Sequence, residues 1–437
     1  MRSGSLQDPA RTNTPGRRPK LLFLAWTFPP VNAIATVRTW NIAKYLNRLG
    51  WDVTVVTPRP NLSRHVENTA KADAAIAAEG IRQIFTNHQW RSLAPTFFKC
   101  RNERLGWLIS GVCRRAAERL GIDWGVGWIK PAERACSKLT PNDVDLILVT
   151  GPPFATFVLA ERISKKLGRP YVVDYRDPWS EPGSSEVGLE ASLLAGAAAV
   201  TTVSKSWARD LEARYQLGTK LHVVTNGFDP EDLTGVPAHD FGHFAIVYAG
   251  IFYPPTRVIT PVLEALQRLK GKHGSENCHF HYFGNYGDHV QEEAVRIGVA
   301  DRVKLHGKVS RSEALSAIRG ASIAVVINSV LEKASGRITG WVPAKVFEMI
   351  GLKTPILLIA PSGTDIESIA ETEGVVRRFS GEDIDGIASF LEQLLAGRTS
   401  MEVQSSSNKY SWESIARALD SILRTKLMKT QTDKVPN

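Results

Sequence analysis

Two charged side chains in the last quarter of the chain have the types and spacing to bind a nucleotide. Lys345 and Glu348 follow Pro343, which suits the first turn of a helix because the N–H it lacks has no helical partner there. Residues three apart share a helix face, so both side chains would lie near the N-terminus, where backbone N–H groups attract anions. The lysine adds a positive charge for a diphosphate, and the carboxylate can accept hydrogen bonds from both hydroxyls of a ribose. The simpler interpretation is an exposed helix with an ion pair between these two side chains.

The sequence around this pair resembles a known family of enzymes. The pattern Pro-x-Lys-x-Phe-Glu at 343–348, followed by Lys-Thr-Pro-Ile at 353–356, closely resembles the donor-site segment of family 4 (group 1) glycosyltransferases. These are retaining enzymes of the GT-B fold, an α/β fold in which two Rossmann-like parallel-sheet domains face each other across a cleft. The resemblance assigns ribose binding to Glu348. The family often has a second glutamate, eight positions earlier, that contacts the donor sugar, and here that position is Gly340.

The organisation of the chain agrees with two such domains. Its 437 residues, 43% of them hydrophobic, are enough for two or three domains with their own cores, and both halves alternate short apolar runs with helical patterns. We expect a disordered tail at 1–19, a first domain at 20–235, a second at 236–405 and a C-terminal segment at 406–437. Ser411 is the expected N-cap of a final helix, which GT-B enzymes commonly send back onto the first domain.

Candidate residues for the acceptor side of the cleft come from loops of the first domain. Asn32 lies in a first βα loop that is rich in glycine in the family but not here. Thr150 and Gly151 end an apolar strand, where open α/β sheets bind ligands. Arg176 and Asp177 follow the next strand, and Asp177 is the candidate for orienting the acceptor hydroxyl. The alternatives are ordinary turns and a purely structural network around Arg176 and Asp177.

Candidate residues for the donor diphosphate lie in the second domain. Family 4 enzymes commonly place an arginine directly after the glycine that corresponds to Gly250 and a lysine a few residues later. Here Ile251 has the arginine position, and Arg257 is assigned the lysine position, with Lys345 ranked before it and Arg337 after it. A loop arginine can also be simply solvated. The residues expected to bring the backbone close to the donor are Gly250, Gly284, Val342 and Pro343.

The net charge indicates which kind of partner the protein binds, and the cysteine spacing indicates its redox compartment. A formal net charge of +10 and a pI near 9.4 favour anionic partners. Much of the excess comes from residues 90–138, inside an insertion at about 85–140, where basic residues alternate with Trp and Phe. That mixture suits the surface of an anionic membrane, although a helical insertion with solvated charges is the alternative. The four cysteines lack metal-ligand or disulfide-framework spacing, which fits a reducing compartment, and no nucleic-acid-binding motif is present.

Together these observations predict an enzyme that moves a sugar from a nucleotide sugar to an acceptor hydroxyl with retention. The resemblance implies cell-surface polysaccharide or glycolipid synthesis, with a carbohydrate or lipid-linked acceptor. Because no apolar run is long enough to span a bilayer, we expect the protein in the cytoplasm, including the inner face of the cell membrane. We expect no cofactor and no metal, since the lysine and the helix dipole can take their place. The alternatives are a nucleotide-sugar epimerase on the same fold, a binding protein that has lost activity, and a nucleic-acid binder.

Overall fold

The computed structural model of the protein describes residues 17–59, 69–87, 123, 125–333, 336–374, 376–398, 401 and 408–432. Most of the predicted tail and most of the basic, aromatic segment 90–138 lie outside these ranges, so their roles stay predictions.

The first lobe is built on a seven-stranded parallel sheet in the order β3-β2-β1-β4-β5-β6-β7. Its inner strands are almost continuous apolar runs because helices cover both faces of the sheet. The strands are β1 (Lys20–Leu24), β2 (Asp52–Pro58), β3 (Arg82–Thr86), β4 (Leu146–Gly151), β5 (Tyr171–Tyr175), β6 (Ala199–Thr202) and β7 (Leu221–Val223). The helices are α1 (Ile34–Arg48), α2 (Thr69–Ala78), α3 (Val126–Ala135), α4 (Ala155–Leu167), α5 (Val187–Gly196) and α6 (Lys205–Tyr215).

A short helix, α7 (Pro230–Leu233), opens the linker to a second lobe with a six-stranded parallel sheet in the order β10-β9-β8-β11-β12-β13. The strands are β8 (Phe244–Ala249), β9 (Cys278–Phe283), β10 (Val303–Gly307), β11 (Ile323–Ile327), β12 (Ile356–Ile359) and β13 (Val376–Phe379). The helices are α8 (Thr260–Arg268), α9 (Gly287–Ile297), α10 (Arg311–Gly320), α11 (Arg337–Gly340), α12 (Lys345–Leu352), α13 (Asp365–Glu373) and α14 (Ile384–Leu395). Single 3-10 turns cover Cys136–Lys138, Gly218–Lys220, Ser275–Asn277, Ala300–Arg302 and Asn408–Tyr410.

The last helix, α15 (Trp412–Thr432), returns to the first lobe as predicted. Trp412, Leu419 and Leu423 are buried in the same core cluster as β1 and β2. The Ser411 hydroxyl accepts a hydrogen bond from the Ser414 backbone N–H at 3.2 Å, which is the predicted N-cap contact. The chain therefore crosses between the lobes twice.

The carboxyl ends of the two sheets face each other across a cleft. From the first lobe, the backbone N–H and hydroxyl of Ser206 donate to the Asp365 carboxylate at 2.7 and 2.8 Å. From the second lobe, Arg337 donates to the Trp179 carbonyl at 3.2 Å. All four residues follow the carboxyl end of a strand, so the loops that carry the candidate residues line the cleft. Within the described ranges, every helix is too short or too polar to span a bilayer.

Candidate active site

The N-terminus of α12 meets the carboxyl end of β8. The Lys345 ammonium donates to the Ala249 carbonyl at 3.3 Å and lies 4.0 Å from the centre of the Tyr248 ring. Gly250 follows β8 with a φ of +149°, and a Cβ at this position would lie 3.0 Å from the Lys345 ammonium. A side chain on residue 250 would therefore disturb the lysine, which explains why a glycine is present here.

Arg257 lies in the same region and is held by aromatic rings. Its guanidinium stacks on Trp341, 2.9 Å from the ring centre, and lies 4.7 Å from the centre of the Tyr253 ring. In the part of the chain that the structure describes, neither Arg257 nor Lys345 forms an ion pair with a carboxylate. Both cations lie over ring faces instead, and Lys345 also contacts a carbonyl, which leaves their positive charge available to an anion.

Burial changes the proton affinity of both cations. Burial, and after it repulsion from Arg257, lowers the pKa of Lys345 to about 7. Burial likewise lowers the pKa of Arg257 to about 10. An anion bound between them would offset this repulsion and favour the charged forms.

The end of β9 is packed tightly against the end of β8. The Gly250 N–H donates to the Phe283 carbonyl at 2.9 Å, and the Tyr282 hydroxyl donates to the Gly250 carbonyl at 3.0 Å. A Cβ on Gly284 would lie 2.3 Å from both the Gly250 carbonyl oxygen and the Tyr282 hydroxyl, so a larger residue does not fit. The predicted backbone positions Gly250 and Gly284 are thus neighbours in space.

The other two predicted backbone positions, Val342 and Pro343, lie just before α12 and are buried. Val342 lines a cavity of about 320 Å³ between the lobes, together with Ser204 and Tyr410. The Val346 N–H donates to the Pro343 carbonyl at 3.1 Å, which forms the first turn leading into the helix.

Glu348 lies on the first turns of α12, as predicted, but its partner is not Lys345. Its Oε1 accepts a hydrogen bond from Arg311 at 2.6 Å, and Arg311 also pairs with Asp232 at 3.1 Å. The simpler interpretation of the sequence, an ion pair between Lys345 and Glu348, is therefore absent from the structure. Among the described residues, Glu348 Oε2 has no hydrogen-bond donor.

Arg337 reaches across the cleft instead of lying free beside Lys345. Its guanidinium pairs with Glu181 of the first lobe at 2.6 Å, in addition to the contact with the Trp179 carbonyl. In this arrangement Arg337 joins the two lobes, and its charge is already partly neutralised.

On the first lobe, Asp177 lies exposed to the cleft on the turn after β5. Enclosure by the surrounding protein raises the pKa of Asp177, and the charges of Arg176 and Arg337 oppose this rise. The Arg176 guanidinium donates to the Pro152 carbonyl, and the Arg176 N–H donates to the Gly151 carbonyl at 2.9 Å. Burial lowers the pKa of Arg176 to about 10. These contacts tie the loop after β5 to the loop after β4.

Comparisons with known proteins bear on the class of this protein and on its fold. Residues 35–232 match the family model described as Glycosyltransferase Family 4. The first lobe is thus similar to a family 4 glycosyltransferase domain. The protein is thus a glycosyltransferase, and no curated protein sequence matches it.

Solved structures show that the whole glycosyltransferase has the GT-B fold. Sucrose-phosphate synthase from Thermosynechococcus elongatus is 13% identical, with a TM-score of 0.63 over 94% of this chain and 100% of its own. The lipopolysaccharide outer core galactosyltransferase WaaB is 14% identical, with a TM-score of 0.57 over 93% of this chain and 99% of its own. Anabaena HepE in complex with UDP-glucose is 15% identical, with a TM-score of 0.52 over 95% of this chain and 98% of its own. At these identities the likeness is one of fold, and the predicted fold class is confirmed.

The first lobe of the glycosyltransferase also contains a buried ion pair that supports the cleft. Arg38 of α1 binds both carboxylate oxygens of Asp174 at 2.6 and 2.9 Å. Burial alone would raise the pKa of Asp174, but Arg38 and the hydroxyls of Thr150 and Thr201 outweigh burial, so the pKa is lowered. The sequence contained one signal for this pair. Arg38 precedes Ile42 by four residues, so both lie on the same, buried face of α1.

Thr150 is therefore buried, with its hydroxyl on Asp174 at 2.8 Å, and its side chain supports the cleft from below. Gly151 allows close packing, since a Cβ there would lie 2.9 Å from the Phe154 ring. Asn32 is exposed just before α1. Thr150 and Gly151 end β4, and Asn32 lies in the loop between β1 and α1, so all three lie at the same edge of the sheet.

Family members often have a glutamate at the position of Gly340. Here a side chain of the other lobe fills the space beside it. A Cβ on Gly340 would lie 2.3 Å from Cδ1 of Trp207, and the Trp207 indole N–H donates to the Arg337 carbonyl at 3.2 Å. A glutamate cannot be accommodated here without moving Trp207. As for metals, the described residues contain no group of three or more His, Cys, Asp or Glu placed to bind one ion.

Proposed function

We propose that this glycosyltransferase transfers a sugar, with retention, from a nucleotide sugar to an acceptor hydroxyl. The observation that carries the proposal is a pair of cations, Lys345 and Arg257, at the glycine-lined end of β8 and the N-terminus of α12. Within the described ranges neither of them pairs with a carboxylate. A diphosphate bound there would meet two positive charges and the helix N-terminus. Glu348, on the same helix, would accept hydrogen bonds from the ribose.

Lys345 and Arg257 would also promote the chemical step. When the acceptor oxygen bonds to the anomeric carbon, the bond from that carbon to the diphosphate oxygen breaks, and negative charge develops on the leaving group. Fixed cations in a site shielded from water stabilise such charge strongly. The acceptor proton would pass to a phosphate oxygen of the departing diphosphate, so no protein base is required on that face. Arg337 is ranked last among the diphosphate ligands, because it must first leave Glu181.

The acceptor would bind on the first lobe. Asp177 is the exposed carboxylate of the turn after β5 and would orient the acceptor hydroxyl, while Arg176 fixes that turn. Asp174 does not suit the role of a nucleophile, because both of its oxygens are engaged by Arg38. We further propose a carbohydrate or lipid-linked acceptor of cell-surface polysaccharide or glycolipid synthesis, reached at the cytoplasmic face of an anionic membrane through residues 90–138.

Binding and turnover assays on matched variants test the proposal. Thermal-shift screening of UDP-, GDP-, ADP- and TDP-sugars should give a stabilising donor. Lys345→Met and Glu348→Gln should each weaken its binding by about 1.5–3 kcal/mol, the usual contribution of a hydrogen bond to a charged group. Lys272→Met and Glu382→Gln, which remove exposed charges elsewhere on the second lobe, should bind it like the wild type.

The outcomes separate the competing functions. Turnover with unchanged kinetics in both site variants would contradict the assignment of the donor site. An epimerised sugar formed without any acceptor would indicate an epimerase. Binding without turnover across a broad panel of acceptors would indicate an inactive binding protein.

A further inference from the structure

Arg311 is a charged residue for which the proposed mechanism has no role. It is the first residue of α10, after the N-cap Ser310. A cation at a helix N-terminus is disfavoured by the helix dipole, so a contact elsewhere must offset this cost. The Arg311 guanidinium turns away from its own helix and reaches two carboxylates, Asp232 in the linker and Glu348 on α12.

The geometry fixes one half of the Glu348 carboxylate. Oε1 is bound to Arg311 at 2.6 Å, whereas Oε2 has no donor among the residues that the structure describes. A glutamate side chain has several rotatable bonds, and the contact with Arg311 limits these rotations before a ligand arrives. The Glu348 side chain is 22% exposed, so it is partly open to a ligand at the edge of the cleft. Pre-ordering of this kind strengthens binding because less side-chain entropy is lost in the complex.

Asp232 holds Arg311 from the opposite side. The Asp232 carboxylate lies 3.1 Å from the guanidinium and belongs to α7, the first element of the linker between the lobes. The chain Asp232–Arg311–Glu348 therefore connects the linker to the helix that carries Lys345. A shift of the linker relative to the second lobe would change the position of Glu348.

We infer that Arg311 is a positioning residue for donor recognition, which orients Glu348 toward the two ribose hydroxyls and is itself held by Asp232. This inference rests on the proposed function, because it assumes that Glu348 binds a ribose. The opposite possibility is that Arg311 competes with the ribose for Glu348. The two possibilities predict opposite changes in affinity when Arg311 is removed.

Selectivity for ribose measures this role directly. UDP, GDP and ADP are each titrated calorimetrically against the full-length enzyme, alongside their 2′-deoxy forms. The wild type should prefer the ribose form, since loss of one hydroxyl leaves a carboxylate acceptor unpaired. In Arg311→Met the preference for the ribose form over the 2′-deoxy form should fall by about tenfold, approaching the value measured for Glu348→Gln. Arg311→Lys should restore part of it, because a lysine keeps the charge but not the forked geometry.

A matched control lies on the same helix. Arg319 also ties α10 to the linker, through the carbonyls of Leu233 and Val236, but does not contact Glu348. Arg319→Met should keep the wild-type preference for ribose. Combining Arg311→Met with Glu348→Gln should have little more effect than Glu348→Gln alone, because both changes act on one contact.

The results distinguish the inference from the function on which it rests. A wild type that binds a ribonucleotide with ribose selectivity, and an Arg311→Met variant that keeps it, would overturn the positioning role alone. Tighter binding by Arg311→Met would show competition and would also overturn it. A wild type that binds none of the nucleotides would overturn the proposed donor site, and the role of Arg311 with it.

Discussion

The low pKa of Lys345 predicts that binding of a nucleotide sugar at the proposed donor site depends on pH near neutrality. The ammonium is surrounded by protein, contacts the Ala249 carbonyl and the Tyr248 ring, and is repelled by Arg257. Its pKa of about 7 means that raising the pH above neutrality removes the charge that the proposed diphosphate site uses. Affinity for a nucleotide sugar should therefore fall as the pH rises.

The size of the effect follows from the fraction of charged lysine. A group with a pKa of about 7 is about 50% protonated at pH 7 and about 3% protonated at pH 8.5, a decrease of about 15-fold. If the bound diphosphate restores the pKa of Lys345 toward its ordinary value of 10.5, the dissociation constant should rise by about the same factor. Below pH 6 the lysine is already charged, so affinity should level off. The diphosphate of a nucleotide sugar does not titrate between pH 6 and 8.5, so the change reports on the protein.

Isothermal titration calorimetry checks this prediction. Titrations at pH 6.0, 7.0 and 8.5, in two buffers with different ionisation enthalpies, give both the dissociation constant and the protons taken up. The wild type should take up close to one proton per nucleotide sugar at pH 8.5. Lys345→Arg, which stays charged, should bind with nearly constant affinity, whereas Lys272→Met should follow the wild type. Equal affinity at all three pH values, with no proton uptake, would refute the reasoning.

Two further predictions concern stability. His281 lies 2.8 Å from His243 and 2.9 Å from His306, and burial, followed by these neighbours, lowers its pKa to about 3. The unfolded chain, with a histidine pKa near 6.5, binds the proton first, so the free energy of unfolding should fall by about 2 kcal/mol between pH 6.5 and 5. Urea denaturation of His281→Gln should show a smaller fall, and an unchanged slope would exclude the histidine cluster as its cause. Separately, Gly340→Ala should destabilise the protein by about 1–3 kcal/mol through overpacking against Trp207. Trp207→Ala in the same chain should relieve part of this loss, and strictly additive effects would contradict the contact.

The fold could be predicted because its inner strands carry a strong local signal. Runs such as those of β4 and β12 are apolar throughout, since both faces of a parallel sheet are covered. The edge strands β3 and β13 carry a weaker signal, because their residues are mostly polar or half-exposed. An edge strand is paired on one side only, so its composition is closer to that of a loop.

The candidate donor site could be predicted in part for a similar reason. Lys345 and Glu348 lie within one turn of helix, so their spacing alone places them together, and the family pattern names their roles. Their partners are distant in sequence. Arg311 is 37 residues from Glu348, and Arg38 is 136 residues from Asp174. Such pairs are set by the packing of separate elements, and one sequence holds no periodic signal for them.

Gly340 shows most clearly what a sequence omits. The absence of a side chain does not indicate what fills the space, and here the neighbour is Trp207 from the opposite lobe. On this side of the cleft the lobes are joined by Trp207 and by the ion pair of Arg337 with Glu181. The charge of Arg337 is therefore already paired with a carboxylate. Lys345, on the second lobe, keeps a charge with no carboxylate partner among the described residues. If the lobes open to release product, the contacts of Trp207 and Arg337 must break first, so substitutions there should change the rate of release before they change the affinity for the donor.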